Sequence, residues 1–230
     1  MTKRAHKPSS GPLAPGQSGP LPRSVLERLA RYQQIATRAA EDGLSHISSA
    51  HLASLVAVDP TMVRKDMAAA AIAGRPKVGY FIGDILGRLG GVLGLTERRD
   101  AILIGCGDLG SALARYAGFS RLGLRIVGIF DTDHSKVGRT VGEHLVLPME
   151  KCKSVTHIFG AKLAILAVPA RAAQGLTDSL VSLGIRGIWN FAPVDLLVPP
   201  EVIVRNENLA LGLAQFLHQI RHQSLARPRP

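Results

Sequence analysis

Apolar residues along this 230-residue chain recur in two rhythms, and the rhythm changes near residue 100. Before that point the spacing is helical. Val25, Leu29, Tyr32 and Ala36 fall three or four apart, Ser24 stands where an N-cap belongs, and Gly43 ends the run, which predicts a first helix. Ile47-Ser48-Ser49 opens a second, with Leu52, Leu55 and Val56 on its inner side. Ala57-Val58-Asp59 predicts a short turn with an apolar plug at Val58. Asp59 then caps a third helix that starts at Pro60 and runs to Met67; proline is tolerated there because the first helical N–H has no helical partner. Gly74-Arg75-Pro76-Lys77 predicts a turn and residues 78–82 a strand. Residues 84–95 are apolar but interrupted by Gly87, Gly90 and Gly91. They predict a linking helix of modest intrinsic stability, a place where two domains reorient.

Beyond residue 100 the apolar runs are short and separated by glycine turns, as in strands buried on both faces. Ala101-Ile102-Leu103-Ile104 leads into Gly105-Cys106-Gly107-Asp108-Leu109-Gly110, a G-x-G-x-x-G run. A helical pattern follows through Leu113, Tyr116 and Ala117 to a break at Gly118. Ile126-Val127-Gly128-Ile129-Phe130 is the next strand, closed by Asp131, 21 residues beyond Gly110. Residues 163–169 predict a strand, 170–183 a helix, 185–189 a strand and 202–204 a last strand. Leu209, Leu213, Phe216, Leu217 and Ile220 form one apolar stripe, which needs either the chain's own sheet or a partner subunit to cover it.

The spacing around the glycine turn suggests chemistry. Gly105 permits the tight turn, Gly107 lets backbone approach a pyrophosphate, and Gly110 lets helix and strand pack closely. Phosphates would rest on unpaired N–H groups at the helix start. Asp131 would accept hydrogen bonds from an adenosine ribose and repel a 2′-phosphate, so NAD(H) is preferred over NADP(H). A bare glycine turn is the plainer alternative. Because strand ends line the crevice of such a sheet, Val168, Pro169 and Asn190 join the cofactor candidates by position.

The N-terminal part points elsewhere. Helix, tight turn, then a helix with exposed basic residues is the helix-turn-helix pattern, with Val63 and Met67 inward. Thr61, Met62, Arg64, Lys65 and Ala68 spread over the outer faces, and which of them reads bases stays open. A small helical bundle with a solvated basic face is the alternative. Arg75 and Lys77 on the following hairpin would serve as a wing on flanking phosphates or a minor groove. The formal charge of +11 leans the same way: +7 over residues 1–99 (14 basic, 7 acidic) against +4 over residues 100–230 (14 basic, 10 acidic). Two cysteines, Cys106 and Cys152, provide no disulfide framework and fit a reducing cytosol. No apolar run reaches the roughly 20 residues of a membrane span, nor is there an apolar signal core. A soluble, cytoplasmic protein is expected.

Taken in order, these residues resemble the Rex family of redox-sensing transcriptional repressors over roughly residues 23–222. The resemblance rests on Ile47-Ser48-Ser49 with Leu52-Ala53, Val63-Arg64-Lys65-Asp66, Val78-Gly79-Tyr80, the glycine turn and Phe130-Asp131-Thr132-Asp133. Lys136-Val137-Gly138, Ala167-Val168-Pro169-Ala170 with Ala173-Gln174, and Asn190-Phe191-Ala192-Pro193 complete it. It implies an α/β fold: a winged helix-turn-helix domain, a Rossmann-like doubly wound parallel sheet, and a C-terminal helix exchanged between two subunits. The implied boundaries are a disordered arm at 1–22, the winged domain at 23–82, the linking helix at 83–99, the Rossmann domain at 100–205, the dimerisation helix at 206–222 and a disordered tail at 223–230.

The function implied is a homodimeric repressor that leaves palindromic operator DNA on binding NADH. The resemblance places Gly105, Cys106, Gly107, Asp108, Leu109, Gly110, Asp131, Lys136, Val168, Pro169 and Asn190 around the dinucleotide. Tyr116 would lie near the nicotinamide, with Phe191 reaching in from the partner. Ser48, Ser49, Thr61, Arg64, Lys65, Arg75 and Lys77 face DNA. No catalytic residue and no metal site is implied. The chain departs from the family pattern in its four alanines at 68–71 and in Pro76 of the wing, which removes a backbone donor. Two rivals from other classes are an NAD-dependent dehydrogenase and a nucleotide- or CoA-binding interaction module. The first lacks an acid/base residue beside the nicotinamide, and the second is disfavoured by Asp131.

Overall fold

In the computed structural model, which describes residues 21–225, helix α1 (Arg23–Glu41) carries Val25, Leu29, Tyr32, Ala36 and Ala39 on one buried stripe. Pro22, not Ser24, holds the N-cap position. Strand β1 (His46–Ile47), helix α2 (Ser49–Val56), helix α3 (Pro60–Ala69), strand β2 (Tyr80–Phe81) and helix α4 (Ile82–Val92) follow. The Ser48 side chain caps α2 by accepting the His51 N–H, and Asp59 caps α3 by accepting the Thr61 N–H at 2.7 Å. Between them Ala57 takes a left-handed φ of 58° and Val58 packs against the core. The helix-turn-helix is therefore held by two side-chain caps and one plug.

Two expectations about this region change. The segment expected to link two domains is part of the first one. Ile82, Ile85 and Leu89 of α4 are buried with Leu29, Tyr32, Leu52, Val63 and Met67, α4 packs along α1, and the first unit extends to Glu97. Burying an apolar face outweighs the roughly 1 kcal/mol that each glycine costs a helix. The strand expected over residues 78–82 shrinks to Tyr80 and Phe81, paired antiparallel with Ile47 and His46. Ahead of it Arg75 and Gly79 exchange backbone hydrogen bonds of 2.7 and 2.9 Å. Pro76 takes the second position of that turn and Lys77, at φ 64°, the third. This is the type II pattern, in which the missing proline N–H is not needed. Gly79 has φ 101°, and a Cβ on it would meet the Ile47 carbonyl, so only glycine fits at the base of the hairpin.

The second unit begins at Arg98. It contains β3 (Arg99–Ile104), α5 (Asp108–Ala114), α6 (Gly118–Arg121), β4 (Leu124–Asp131), β5 (Thr140–Val141), β6 (His144–Pro148) and α7 (Cys152–Phe159). β7 (Leu163–Leu166), α8 (Ala170–Ser182), β8 (Gly187–Asn190), β9 (Ile203–Asn206) and α9 (Leu209–Leu225) complete it. The sheet order is β5-β6-β4-β3-β7-β8-β9, parallel except for the β5–β6 pair. Without that edge strand the order is 3-2-1-4-5-6, the doubly wound arrangement, and it reverses between β3 and β7. Ile102, Ile104 and Leu166 point into one core layer while Leu103, Ile129 and Ile165 point into the other. Burial on both faces explains why these strands are continuous apolar runs rather than alternating ones.

Here too the sequence pattern misleads in places. The helix after the glycine turn ends at Ala114, and Gly118 begins the next helix instead of closing the first, so Tyr116 lies in the break. Strands β5 and β6 and helix α7 were not foreseen. Helix α7 buries Cys152 and Thr156 and exposes Ile158 and Phe159, which inverts the usual periodicity. The C-terminal helix lies at Leu209–Leu225 rather than 206–222, and its stripe of Leu209, Leu213, Phe216, Leu217 and Ile220 remains exposed. Packing of that stripe on the chain's own sheet is thus not what the structure adopts. The arm expected over residues 1–22 lies outside the described residues as far as residue 20. Of the tail expected over 223–230, residues 226–230 lie outside them and the rest continues α9.

Candidate functional site

The reversal of strand order opens a crevice of about 340 Å³ at the carboxyl ends of β3, β4 and β7, lined by Gly105, Gly107, Asp131, Lys136, Val168 and Pro169. The three glycines of the turn do different work. Gly105 has φ 95°, and a Cβ on it would meet the Ala167 carbonyl; a Cβ on Gly110 would meet the Gly105 carbonyl. Both positions are packing constraints. Around Gly107, at an ordinary φ of −77°, a Cβ would meet nothing within 4 Å. That exposed, side-chain-free stretch of backbone at the head of α5 is the cradle a pyrophosphate needs.

Asp131 stands at the crevice edge, 8% exposed. Its Oδ2 accepts the Cys106 N–H at 2.7 Å and the Lys136 ammonium at 3.3 Å, and its Oδ1 accepts the Asp133 N–H at 2.9 Å. Burial pushes this carboxyl up, but the two backbone N–H groups and Lys136 outweigh it and hold it below the usual carboxylate range. Three of about four acceptor sites are thereby filled, leaving one for a ligand hydroxyl. Lys136 also lies 3.6 Å from Asp133. Two carboxylates therefore share one ammonium, a formal charge of −1 for these three groups, and Arg171 in the same lining adds one positive charge.

The other sequence candidates divide. Asp108 is exposed and Leu109 half-buried at the head of α5. Cys106 turns inward, with its sulfur 3.5 Å from the Ser111 hydroxyl and its backbone N–H taken by Asp131. Asn190 is corrected outright: it is 0% exposed, donates to the Val194 carbonyl and to Asn206 Oδ1, and accepts the Ala192 N–H. Enclosed, with both amide hydrogens and one Oδ1 acceptor site engaged, its side chain ties the end of β8 to β9 instead of lining the crevice. Tyr116 and Phe191 are not adjacent. They end a chain of rings running Tyr116–Phe119–Trp189–Phe191, with centroids 5.0, 5.6 and 5.0 Å apart. Phe119 and Trp189 were missed in the sequence because isolated aromatics carry no periodic signal. Arg171, Asp133 and Met149 also line the crevice. The Asp-Thr-Asp run hinted at Asp133, but nothing pointed to Arg171 or Met149.

In the first unit the outer face of α3 is exposed at Thr61, Arg64 and Lys65. Arg64 is held in place: one guanidinium nitrogen donates to the Thr61 hydroxyl at 3.0 Å and another to Ser49 at 3.4 Å. Ser48 has its hydroxyl engaged in capping α2. Arg75 and Lys77 are exposed at the hairpin tip. The structure also reveals Asp66, 1% exposed on the inner face of α3. It accepts two hydrogen bonds from Arg28, at 2.7 and 2.8 Å, and one from the Tyr32 hydroxyl at 3.1 Å. The Asp66 bonds and charge raise Arg28 despite its partial burial, and burial together with Asp66 pushes the Tyr32 hydroxyl up. This network pins α3 to α1.

A helix-turn-helix unit with a pre-oriented arginine, joined in one chain to a doubly wound sheet with a glycine cradle, defines a ligand-responsive DNA-binding regulator. Known proteins agree. Residues 96–194 match a family described as "CoA binding domain", and residues 20–68 match one described as "Putative DNA-binding protein N-terminus". The redox-sensing transcriptional repressor Rex of Carboxydothermus hydrogenoformans is 38% identical over 87% of this chain and 97% of its own. Among solved structures, RSP in complex with β-NADH has a TM-score of 0.80 at 30% identity over 89% of this chain and 96% of that one. RSP with β-NAD⁺ and operator DNA has a TM-score of 0.81, also at 30% identity, over 89% and 94%.

The chain belongs to the Rex family of redox-sensing transcriptional repressors. Its relatives are named as transcriptional repressors. Among the described residues no helix is long and apolar enough to cross a membrane.

Proposed function

We propose that this protein is a cytoplasmic homodimer that represses transcription from palindromic operators and is released from them by NADH. The observation that carries the reading is the crevice: Gly107 leaves open space where a pyrophosphate would lie, and Asp131 beside it keeps one acceptor for a ribose hydroxyl. The likeness to RSP, crystallised with β-NADH and with β-NAD⁺ and operator DNA, supports it. Gly105 and Gly110 shape the turn, the backbone from Gly107 to Leu109 faces the phosphates, and Val168 and Pro169 form an apolar wall. The charge and remaining acceptor site of Asp131 favour a free ribose diol over a 2′-phosphate.

Tyr116, exposed at one end of the aromatic chain, and Phe191 of the partner subunit border the slot for the nicotinamide. An uncharged reduced ring enters such a slot more readily than a cationic oxidised one, which must be desolvated. The ligand must also distinguish two arrangements of the dimer, since equal affinity for both shifts nothing. The exposed α9 stripe provides a surface for the second subunit. In the DNA-competent arrangement the recognition helices would stand about 34–36 Å apart, with Arg64, Lys65, Thr61 and Ser49 in the major groove. Ser48, Arg75 and Lys77 would contact phosphates.

The test is operator binding measured by fluorescence anisotropy across a gradient of NADH/NAD⁺ ratios. Affinity should fall as NADH rises, and equal affinity throughout would sink the switch. Calorimetry with NADH, NAD⁺ and CoA separates this reading from a CoA-binding module, which would prefer the third ligand.

A further inference from the structure

The crevice is lined by four ionisable side chains, Asp131, Asp133, Lys136 and Arg171, and three of them answer one another. The Lys136 ammonium lies 3.3 Å from Asp131 and 3.6 Å from Asp133. The exposed Arg171 side chain makes no hydrogen bond or ion pair with another described residue. Its place is set by the sheet. The Ala167 N–H donates to the Ile104 carbonyl at 2.8 Å, which carries the end of β7 alongside the glycine turn. A Cβ on Gly105 would meet the Ala167 carbonyl and the Val168 side chain, and one on Gly110 would come within 3.6 Å of the Ala167 Cβ. Helix α8 follows at once, with Pro169 as its N-cap, and buries Ala173, Thr177 and Leu180. Arg171, two positions before Ala173, stands on the other side of the helix, in the first turn and on the crevice wall.

The glycine turn itself, residues 105–110, has one acid, Asp108, and no basic residue. Its backbone N–H groups bring only partial charges to a pyrophosphate whose phosphates are each fully ionised, and Lys136 is shared by two carboxylates. On the strength of the dinucleotide reading above, on which the assignment rests, we infer that Arg171 pairs with the pyrophosphate of the bound nucleotide. A guanidinium fork matches two oxygens of one phosphate, whereas the neighbouring Val168 and Pro169 offer an apolar wall to a base. NADH and NAD⁺ carry the same pyrophosphate, and a contact common to both cannot distinguish them. Arg171 therefore strengthens the binding of both forms alike and leaves the redox preference to the nicotinamide end.

The experiment is calorimetry of the full-length protein with NADH and with NAD⁺, comparing wild type with Arg171→Lys, Arg171→Gln and Arg171→Glu. The side chain is exposed, so the melting temperature should stay at the wild-type value in all three. Arg171→Gln should bind NADH about tenfold more weakly at low salt, the loss of a charge-assisted pair. Arg171→Lys keeps the charge without the fork and should fall between the two, while Arg171→Glu, with the charge reversed, should lose more than Arg171→Gln. NAD⁺ should weaken by the same factor as NADH in each variant, and the gap between wild type and Arg171→Gln should narrow as salt is raised. Unchanged NADH affinity in Arg171→Gln, equal losses in all three variants, or a loss confined to one of the two nucleotides overturns the phosphate contact. Wild type that bound neither nucleotide would bring down the dinucleotide reading itself, a result distinct from a wild type that binds and an Arg171 that does not matter.

Discussion

Two aspartates are buried in the described residues, one in each unit, and they do opposite things. Asp66 is sealed. Its partners are side chains from another helix, the bidentate Arg28 and the Tyr32 hydroxyl, and nothing from outside reaches it. Asp131 is only partly closed in. Two of its three partners are backbone N–H groups supplied by the turn it faces and by its own loop, and it borders an open crevice. A carboxylate held by fixed backbone dipoles keeps its charge without needing a full complement of side chains, so it retains an acceptor for a ligand. One held by an arginine fork is spent on architecture. Burial therefore does not separate structural acids from functional ones; the kind of partner does.

This contrast can be broken in four ways, from the largest effect down. Asp66→Asn removes the charge opposite a largely buried Arg28 and should destabilise the first unit by about 3 kcal/mol, measured by urea unfolding followed at Tyr32; a loss under 1 kcal/mol would mean the network is ornamental. Gly107→Val places methyl groups in open space, so the fold should survive. NADH affinity should drop by about 30-fold or more, roughly 2 kcal/mol, in calorimetry on a protein whose melting temperature is unchanged. An unaltered NADH affinity would empty the cradle of its meaning.

Asp131→Asn keeps the size of the side chain but forfeits its charge. NADH binding should weaken about tenfold, near 1.4 kcal/mol, and discrimination against NADPH should narrow because Lys136 is then opposed by Asp133 alone. If NADPH stays equally excluded, Asp131 is not what repels it. The smallest effect is in pH. Asp131 lies below its unfolded value, so its contribution to stability is fully present above about pH 4 and fades as pH falls through the lower folded value. Thermal stability and NADH affinity should accordingly show no titration of this group between pH 5 and 8; a transition there would assign it a raised, not a lowered, value.

The glycine turn was legible before any coordinates because each of its requirements is local. A positive φ, a missing Cβ and an acid about 20 residues on are all written in residue types. The capped third helix of the helix-turn-helix was legible for the same reason, through Asp59 and Pro60. Asn190 was misassigned because position at a strand end says where a residue sits, not whether its amide is already engaged. Helix α4 was misassigned because its glycines are a local signal, whereas its burial against α1 is a tertiary one.

By itself the sequence determined where a helical part gives way to alternating strands and helices, the chemistry of the glycine turn and the family resemblance. These follow from backbone preferences and short-range spacing, which act within a few residues. Only the tertiary structure decided that Asp66 answers Arg28 across 38 positions, that the Cys106 N–H aims at Asp131, and that the α9 stripe stays uncovered. Those outcomes depend on which surfaces meet, and no local rule carries that information.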